Sequence, residues 1–217
     1  MNTVRWLPLA TGLVPILAIH ATYLISAAQG HVPWCFPYTD SCTSISATGR
    51  HGAAWYLFKA TMIPAALLLA LFWRDAARRL ASLGDQGKGP KIIRWLGYIA
   101  AIFLVVYTVA LGADGDFFQL QRRIGIILYF SLTAFAELLM TWRLGKLTVV
   151  DRTRPFHLAI CIAFLSIGIL TLLLQIVMTD YDKVEDAFEW ILALIMQLYF
   201  IVMYFCWQQP SFQLTGR

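Results

Sequence analysis

Six long apolar runs, separated by short polar breaks, dominate the chain: 6–28, 53–73, 93–111, 124–141, 156–178 and 188–207. Each lies near the roughly 20 residues that a helix needs to cross a hydrocarbon core of about 30 Å. Apolar residues are continuous within the runs, not alternating as in the strands of a membrane barrel. In hydrocarbon every backbone N–H and C=O must be satisfied internally, which helices achieve and lone strands do not. The pattern predicts an all-α polytopic membrane protein, a single bundle of six transmembrane helices over 1–217. Residues 29–52 form an outer loop and 75–92 a cytoplasmic linker, the latter marked by Gly84, Gly87, Gly89 and Pro90.

Composition agrees. The chain is 59% hydrophobic and 13% charged, with a mean hydropathy of +0.67, too few charges to coat a water-soluble domain. The net charge of +5 suits nucleic acid only if the cations cluster on one exposed face, and here they are scattered through short connections. Nucleic acid is therefore not an expected partner. With the N-terminus inside, twelve of the seventeen Lys and Arg fall on the cytoplasmic side: Arg5, Arg74, Arg78, Arg79, Lys88, Lys91, Arg94, Arg143, Lys146, Arg152, Arg154 and Arg217. Arg50, Lys59, Arg122, Arg123 and Lys183 fall outside. Because positive charge in short loops stays inside, both termini are expected in the cytoplasm of a cell with this protein in its plasma or inner membrane. Arg5 before the first run and Ser26, Ala27 and Ala28 at its end echo a secretory signal, but the run is longer than a signal core and is expected to be a retained helix.

Cys35 and Cys42 share the outer loop, where an oxidising compartment favours a disulfide around CFPYTDSC. Cys161 and Cys206 lie in apolar runs and are expected to pack as small hydrophobes.

The outer loop, GHVPWCFPYTDSCTSISATGRHG over 30–52, resembles the loop after the first helix in the Frag1/DRAM/Sfk1 family. There a GHV-like start leads to Pro-Tyr and then to an I-S-x-T-G element, here Ile45-Ser46-Ala47-Thr48-Gly49. Ala47 stands where that family usually has an acidic residue. The last run, 181–205, is similar to the family's closing helix with its Glu-aromatic pair, here Glu189-Trp190. The resemblance implies a membrane protein that handles or regulates lipids, without specifying a reaction.

Ionisable groups within a bilayer cost about 2.5–3.5 kcal/mol each on insertion scales, so each is a candidate site. His20, Lys59, Arg122, Arg123, Gln175 and Glu189 lie toward the outer leaflet, rimmed by Asp114, Asp116, Asp180, Asp182, Glu185 and Asp186. One reading is a polar cavity opening to that leaflet, with Lys59, Arg122 or Arg123 on a lipid phosphate. The alternative is that these cations snorkel to the interface and that Glu189 pairs with one of them. The outer loop adds His31, Asp40, Ser46, Thr48 and His51 as candidates. Glu137 is a lone intramembrane carboxylate, expected either to serve a proton relay or lipid site or to reach Arg143 or a neighbouring helix. Trp6, Trp34, Trp55, Trp73, Trp95, Trp142 and Trp207 fall near the ends of the runs, as an interfacial belt does.

The four histidines, His20, His31, His51 and His157, offer no pair at metal-ligand spacing on one helical face, so no metal or other cofactor is expected. No G-x-S-x-G elbow, phosphate loop or dinucleotide fingerprint occurs. The favoured reading is a non-enzymatic protein that binds, organises or helps remodel membrane lipids, with a membrane-protein partner as a further possibility. An intramembrane enzyme acting on a lipid or lipid anchor, using the outer-loop histidines and Glu189, is the first alternative. A transporter or accessory subunit is the second, although Pro15 and Pro64 in the first two runs have no counterparts in the second half.

Overall fold

The computed structural model describes residues 5–147 and 151–212, and Arg217, counted above among the cytoplasmic cations, lies outside them. Six helices are long and apolar enough to cross a membrane: α1 (Leu7–Ala28), α4 (Gly52–Ser82), α5 (Gly89–Ala110), α6 (Asp116–Leu144), α7 (Arg154–Val177) and α8 (Asp182–Gln208). Two single-turn helices, α2 (Pro37–Asp40) and α3 (Ile45–Thr48), lie in the loop between α1 and α4. A 3-10 turn, Pro210–Phe212, follows α8, and no strand occurs among the described residues.

The helices outrun the apolar windows that announced them. The segment expected as a linker, 75–92, is helical through Ser82 and again from Gly89. The sequence RDAARRLAS explains this, since Ala, Arg and Leu are strong helix formers, and Ala76, Ala77, Arg79 and Leu80 are buried. Falling hydropathy marks the edge of the hydrocarbon and not the end of the hydrogen-bonded helix. Helix α6 likewise begins at Asp116, eight residues before the window that starts at 124.

The spans close into a ring in the order α1, α4, α5, α6, α7, α8, with α8 returning to α1. Without a strong hydrophobic drive between helices in lipid, close packing depends on small residues. Helix α5 sits between α4 and α6 by this means. Gly97 lets α5 lie directly on the Trp73 ring, and a Cβ on Gly125 of α6 would stand 2.9 Å from the Tyr107 backbone nitrogen. The start of α1 and the end of α8 lie on one face, where Trp6 stacks on Tyr204 at 5.2 Å between centroids; this is called the terminal face, and the opposite one the loop face.

On the terminal face Arg79 donates to the Phe212 carbonyl at 2.9 Å and lies 4.0 Å from the centre of the Trp207 ring. Arg143 at the end of α6 grips Asp85 in the 83–88 turn with two hydrogen bonds, one of them 2.6 Å from Nε to Oδ2. The tryptophan belt expected from sequence divides accordingly. Trp6, Trp34, Trp95 and Trp142 are exposed, whereas Trp73 and Trp207 are buried among Phe72 and Phe200 and belong to the core. The position of Trp73 near a span end did not reveal that α4 continues past it to Ser82.

Helix α7 is the loosest member of the ring. Only His157 and Cys161 are buried on it, and its contacts with α6 include the stack of Phe130 on Phe164. Toward the loop face, the bundle-facing residues Ile167, Gly168, Thr171 and Leu174 stay only partly buried. A Cβ placed on Gly168 would meet nothing within 4 Å, so open space lies beside the loop-side half of α7.

Candidate functional site

The loop 29–52 is folded onto the loop-face ends of α1 and α8. Cys35 and Cys42 form the expected disulfide, with their Cα atoms 6.6 Å apart. The Tyr23 hydroxyl of α1 accepts from the Cys35 N–H at 2.8 Å and donates to the Cys35 carbonyl at 2.6 Å. From α8, the Trp190 indole donates to the Thr43 carbonyl at 2.9 Å, and the Ala187 N–H donates to Ser41 Oγ at 3.1 Å. Trp190 is fully buried beneath His20, Tyr23 and Tyr38.

His20 is held by its neighbours. Its Nδ1 lies 2.7 Å from the Ile16 carbonyl, an interaction that needs a proton on Nδ1. In the neutral ring Nε2 is then the acceptor, and the Tyr38 hydroxyl donates to it at 3.0 Å. Burial pushes the Tyr38 phenol above its ordinary pKa, which keeps it a donor.

Among the described residues Glu189 pairs with no cation. Its carboxylate meets the backbone N–H groups of Ile45 and Ser46, at the start of α3, where Ser44 Oγ also accepts from Ala47 N–H at 3.0 Å. The I-S-x-T-G element is therefore a helical turn capped from within by Ser44 and from outside by Glu189. Thr48 is buried against Thr22 and donates to the Ile45 carbonyl at 2.7 Å. Ser46 Oγ lies 3.0 Å from Ser44 Oγ and accepts from Arg50 at 3.0 Å.

Two of the remaining cations contact backbone carbonyls of another helix. Lys59 donates to the Val109 carbonyl at 3.1 Å while lying 4.0 Å from the Trp55 ring centre. Arg122 donates to the Ala110 and Ala113 carbonyls at 3.1 and 2.6 Å, and Trp55 donates to the Leu111 carbonyl at 2.8 Å. The acceptors are carbonyls at or just past the C-terminal end of α5, where the positive charge of Lys59 and Arg122 is favoured by the helix dipole. Arg123 and Gln175 are exposed.

In the loop, Asp40 accepts from the Phe36 N–H at 2.8 Å and from Thr39 at 2.9 Å, closing the turn that it ends. These two donors, Phe36 first, hold its carboxyl below the usual carboxylate range. His31 and His51 stand together, ring centroids 5.4 Å apart, where the loop leaves α1 and enters α4. The structure thus brings Glu189, Ser46 and Thr48 together around α3, sets the two histidines apart at the loop base, and links Ser46 to Arg50.

Beneath α3 and inside the ring lies a cavity of about 40 Å³, lined by Glu189, Gln197, Tyr107, Tyr129, Pro15 and Phe130 among others. A volume of this size holds about two or three waters and not an acyl chain. Gln197 donates to the Tyr129 hydroxyl at 3.1 Å. Tyr107, Tyr129 and Gln197 were not singled out from sequence. The available signal was their position on the helix faces that the ring turns inward, which needs the packing order.

Glu137 is buried in α6, facing α7 and α8. The expected reach to Arg143 does not occur, because Arg143 points across to Asp85, and Glu137 Oε1 has no hydrogen-bond partner among the described residues. No group of three or more potential metal ligands occurs among the described residues.

No curated protein and no solved structure matches the chain. A family model does, the Frag1/DRAM/Sfk1/Cwh43P N-terminal domain, over residues 3–208. With its capped I-S-x-T-G turn, its Glu189-Trp190 clamp and six spans accounted for along that match, the chain belongs to the Frag1/DRAM/Sfk1/Cwh43P family.

Proposed function

We propose that this protein holds a single membrane lipid at the gap between α6 and α7, with the acyl chain between the two helices and a phosphate-bearing headgroup at the loop face. The observation that carries the reading is the unfilled stripe on α7. Ile167, Gly168, Thr171 and Leu174 face the ring without being buried by it, and Gly168 has open space over its Cα. Exposed Arg123 lies seven residues before Phe130 on α6, which places both on one helix face about 10 Å apart along the axis. Its guanidinium fork suits a phosphate, and unlike Lys59 and Arg122 it is not turned to the end of α5. Glu189, Asp186 and Glu185 on α8 stand across the ring as an acidic counterpart.

Charge supports placing the loop face outside and both termini in the cytoplasm, since twelve of seventeen cations then lie inside. The disulfide on the loop face suits an oxidising exterior. The test is native mass spectrometry of the detergent-purified protein. We expect a phospholipid to remain bound after the micelle is stripped. Gly168→Leu, which fills the gap without meeting a neighbour at its Cβ, should release it, and Arg123→Ala should weaken its retention severalfold. A protein that carries no lipid, or a Gly168→Leu variant that keeps it, contradicts the reading.

A further inference from the structure

Helix α6 carries one polar side chain per turn on a single face: Tyr129, Thr133, Glu137 and Thr141, each four residues after the last. All four are buried, Thr133 completely and Glu137 to 1% exposure. Four-residue steps stay on one face and rise about 6 Å each, so the seam covers roughly 18 Å of a hydrocarbon core of about 30 Å.

Each end of the seam meets further polar groups. Toward the loop face, Tyr129 joins Gln197, and both line the cavity whose far wall includes Glu189 and Tyr107. Toward the terminal face, Thr141 Oγ1 lies 3.1 Å from the Tyr199 hydroxyl and 3.6 Å from Cys161 Sγ. The Tyr199 hydroxyl also donates to the Glu137 carbonyl at 3.1 Å. One turn before Cys161 on α7 is His157, its ring 5.0 Å from that of Tyr199 and its Nδ1 3.9 Å from Asp151 Oδ2.

Six buried atoms along this line lack a hydrogen-bond partner among the described residues: the Tyr107 hydroxyl, Thr133 Oγ1, Glu137 Oε1, Asp151 Oδ2 and both His157 nitrogens. Polar residues that only glue helices together are bonded to each other. A buried group left bare is destabilising and calls for a bound partner such as water. One such group is an isolated fault, whereas several of them along the seam, between a cavity of water-holding size and an inner His–Asp pair, mark a route.

We propose that these groups share a file of water molecules and that Glu137 is its proton-carrying midpoint, so that the protein passes protons between the His157–Asp151 pair and the cavity below Glu189. In each passage the Glu137 carboxyl releases its O–H proton to water on one side, and the carboxylate takes a proton from water on the other. Only O–H bonds break and form, and one proton moves per cycle with no oxidant or reductant. The titratable groups bearing on Glu137 are Tyr129 on its own helix, Cys161 on α7 and Tyr199 on α8. Helix α5 contributes Tyr107, packed on Gly125 toward the loop-face end. The route lies inside the ring and does not depend on the lipid reading.

The experiment is proton uptake by proteoliposomes that contain a trapped pH-sensitive dye, driven by a potassium diffusion potential. Wild-type protein should acidify vesicles severalfold faster than protein-free liposomes. Glu137→Gln should return the rate to background, and Thr133→Val should slow it severalfold, with size-exclusion profile and melting confirming the fold of each. A wild-type rate equal to that of empty liposomes, or a Glu137→Gln rate equal to wild type, overturns the proposal. Infrared spectra give a readout that needs no flux. A protonated-carboxyl band sensitive to H2O/D2O exchange should persist in Glu189→Gln, and its absence there also overturns the proposal.

Discussion

Glu189 and Trp190 are adjacent on α8 yet hold different parts of one loop, the carboxylate at the start of α3 and the indole at Thr43. The family's Glu-aromatic pair was legible in the sequence, but its job was not, because the partners are backbone groups nearly 150 positions away. Backbone N–H groups that meet a buried carboxyl contribute about 0.5–1.5 kcal/mol each. Glu189→Ala should therefore lower the melting temperature and raise hydrogen exchange at residues 45–48, and unchanged exchange there would show that α3 does not rely on it. On the opposite face Asp85 sits outside the spans, and Arg143, with the Gly87 N–H, holds its carboxyl below the usual range. The folded state thus favours the charged form. Its stabilisation is present above about pH 4, the ordinary Asp value, and is lost as the pH falls through the lower folded value. Melting curves from pH 7 to pH 3 should show this decline, and Asp85→Asn should have lower stability at pH 7 with a flatter acid limb.

Helices were easier to read than their limits. Each span follows from a continuous apolar run, yet α4 and α6 extend well beyond their windows because polar residues such as Arg78, Arg79, Gln119 and Gln121 are good helix formers outside the hydrocarbon. The seam on α6 was visible as a spacing of four around Glu137. It went unread because Tyr and Thr are ordinary in membrane helices, and only the ring order shows that this face is closed off from lipid. The partners of the cations were hidden for a related reason: Lys59 and Arg122 lie near the outer ends of their runs, but the carbonyls they bind are at or just past the end of α5, a different segment. The loop was the best anticipated element, since the spacing of Cys35 and Cys42 suits a bridge. Closing so short a loop contributes about 2.5 kcal/mol in the chain-entropy account. Because Tyr23, Trp190 and Ala187 also grip the loop, reduction should lower the melting temperature by several degrees without releasing α3. Loss of protection across the whole of 29–52 on reduction would show that the bridge alone holds it.

At the scale of the molecule, five spans pack tightly and one does not. Helices α1, α4, α5, α6 and α8 surround a small, mostly apolar cavity with Glu189, Gln197, Tyr107 and Tyr129 in its wall, while α7 is anchored at its terminal-face end by His157 and Cys161 and is otherwise little buried. Such an asymmetric ring suits the proposal of a protein that takes a lipid from one side of the membrane while keeping its interior narrow. The claim is tested most directly by position-resolved photocrosslinking in native lipid. A photoreactive side chain is introduced at Phe130, beside the gap, and in parallel at Ile102, exposed on the lipid-facing side of α5. The account predicts that Phe130 captures one lipid class in high yield, resistant to dilution with foreign lipid, while Ile102 captures whatever the bilayer contains. Equal yields and identical bulk-lipid adducts at the two positions would contradict it.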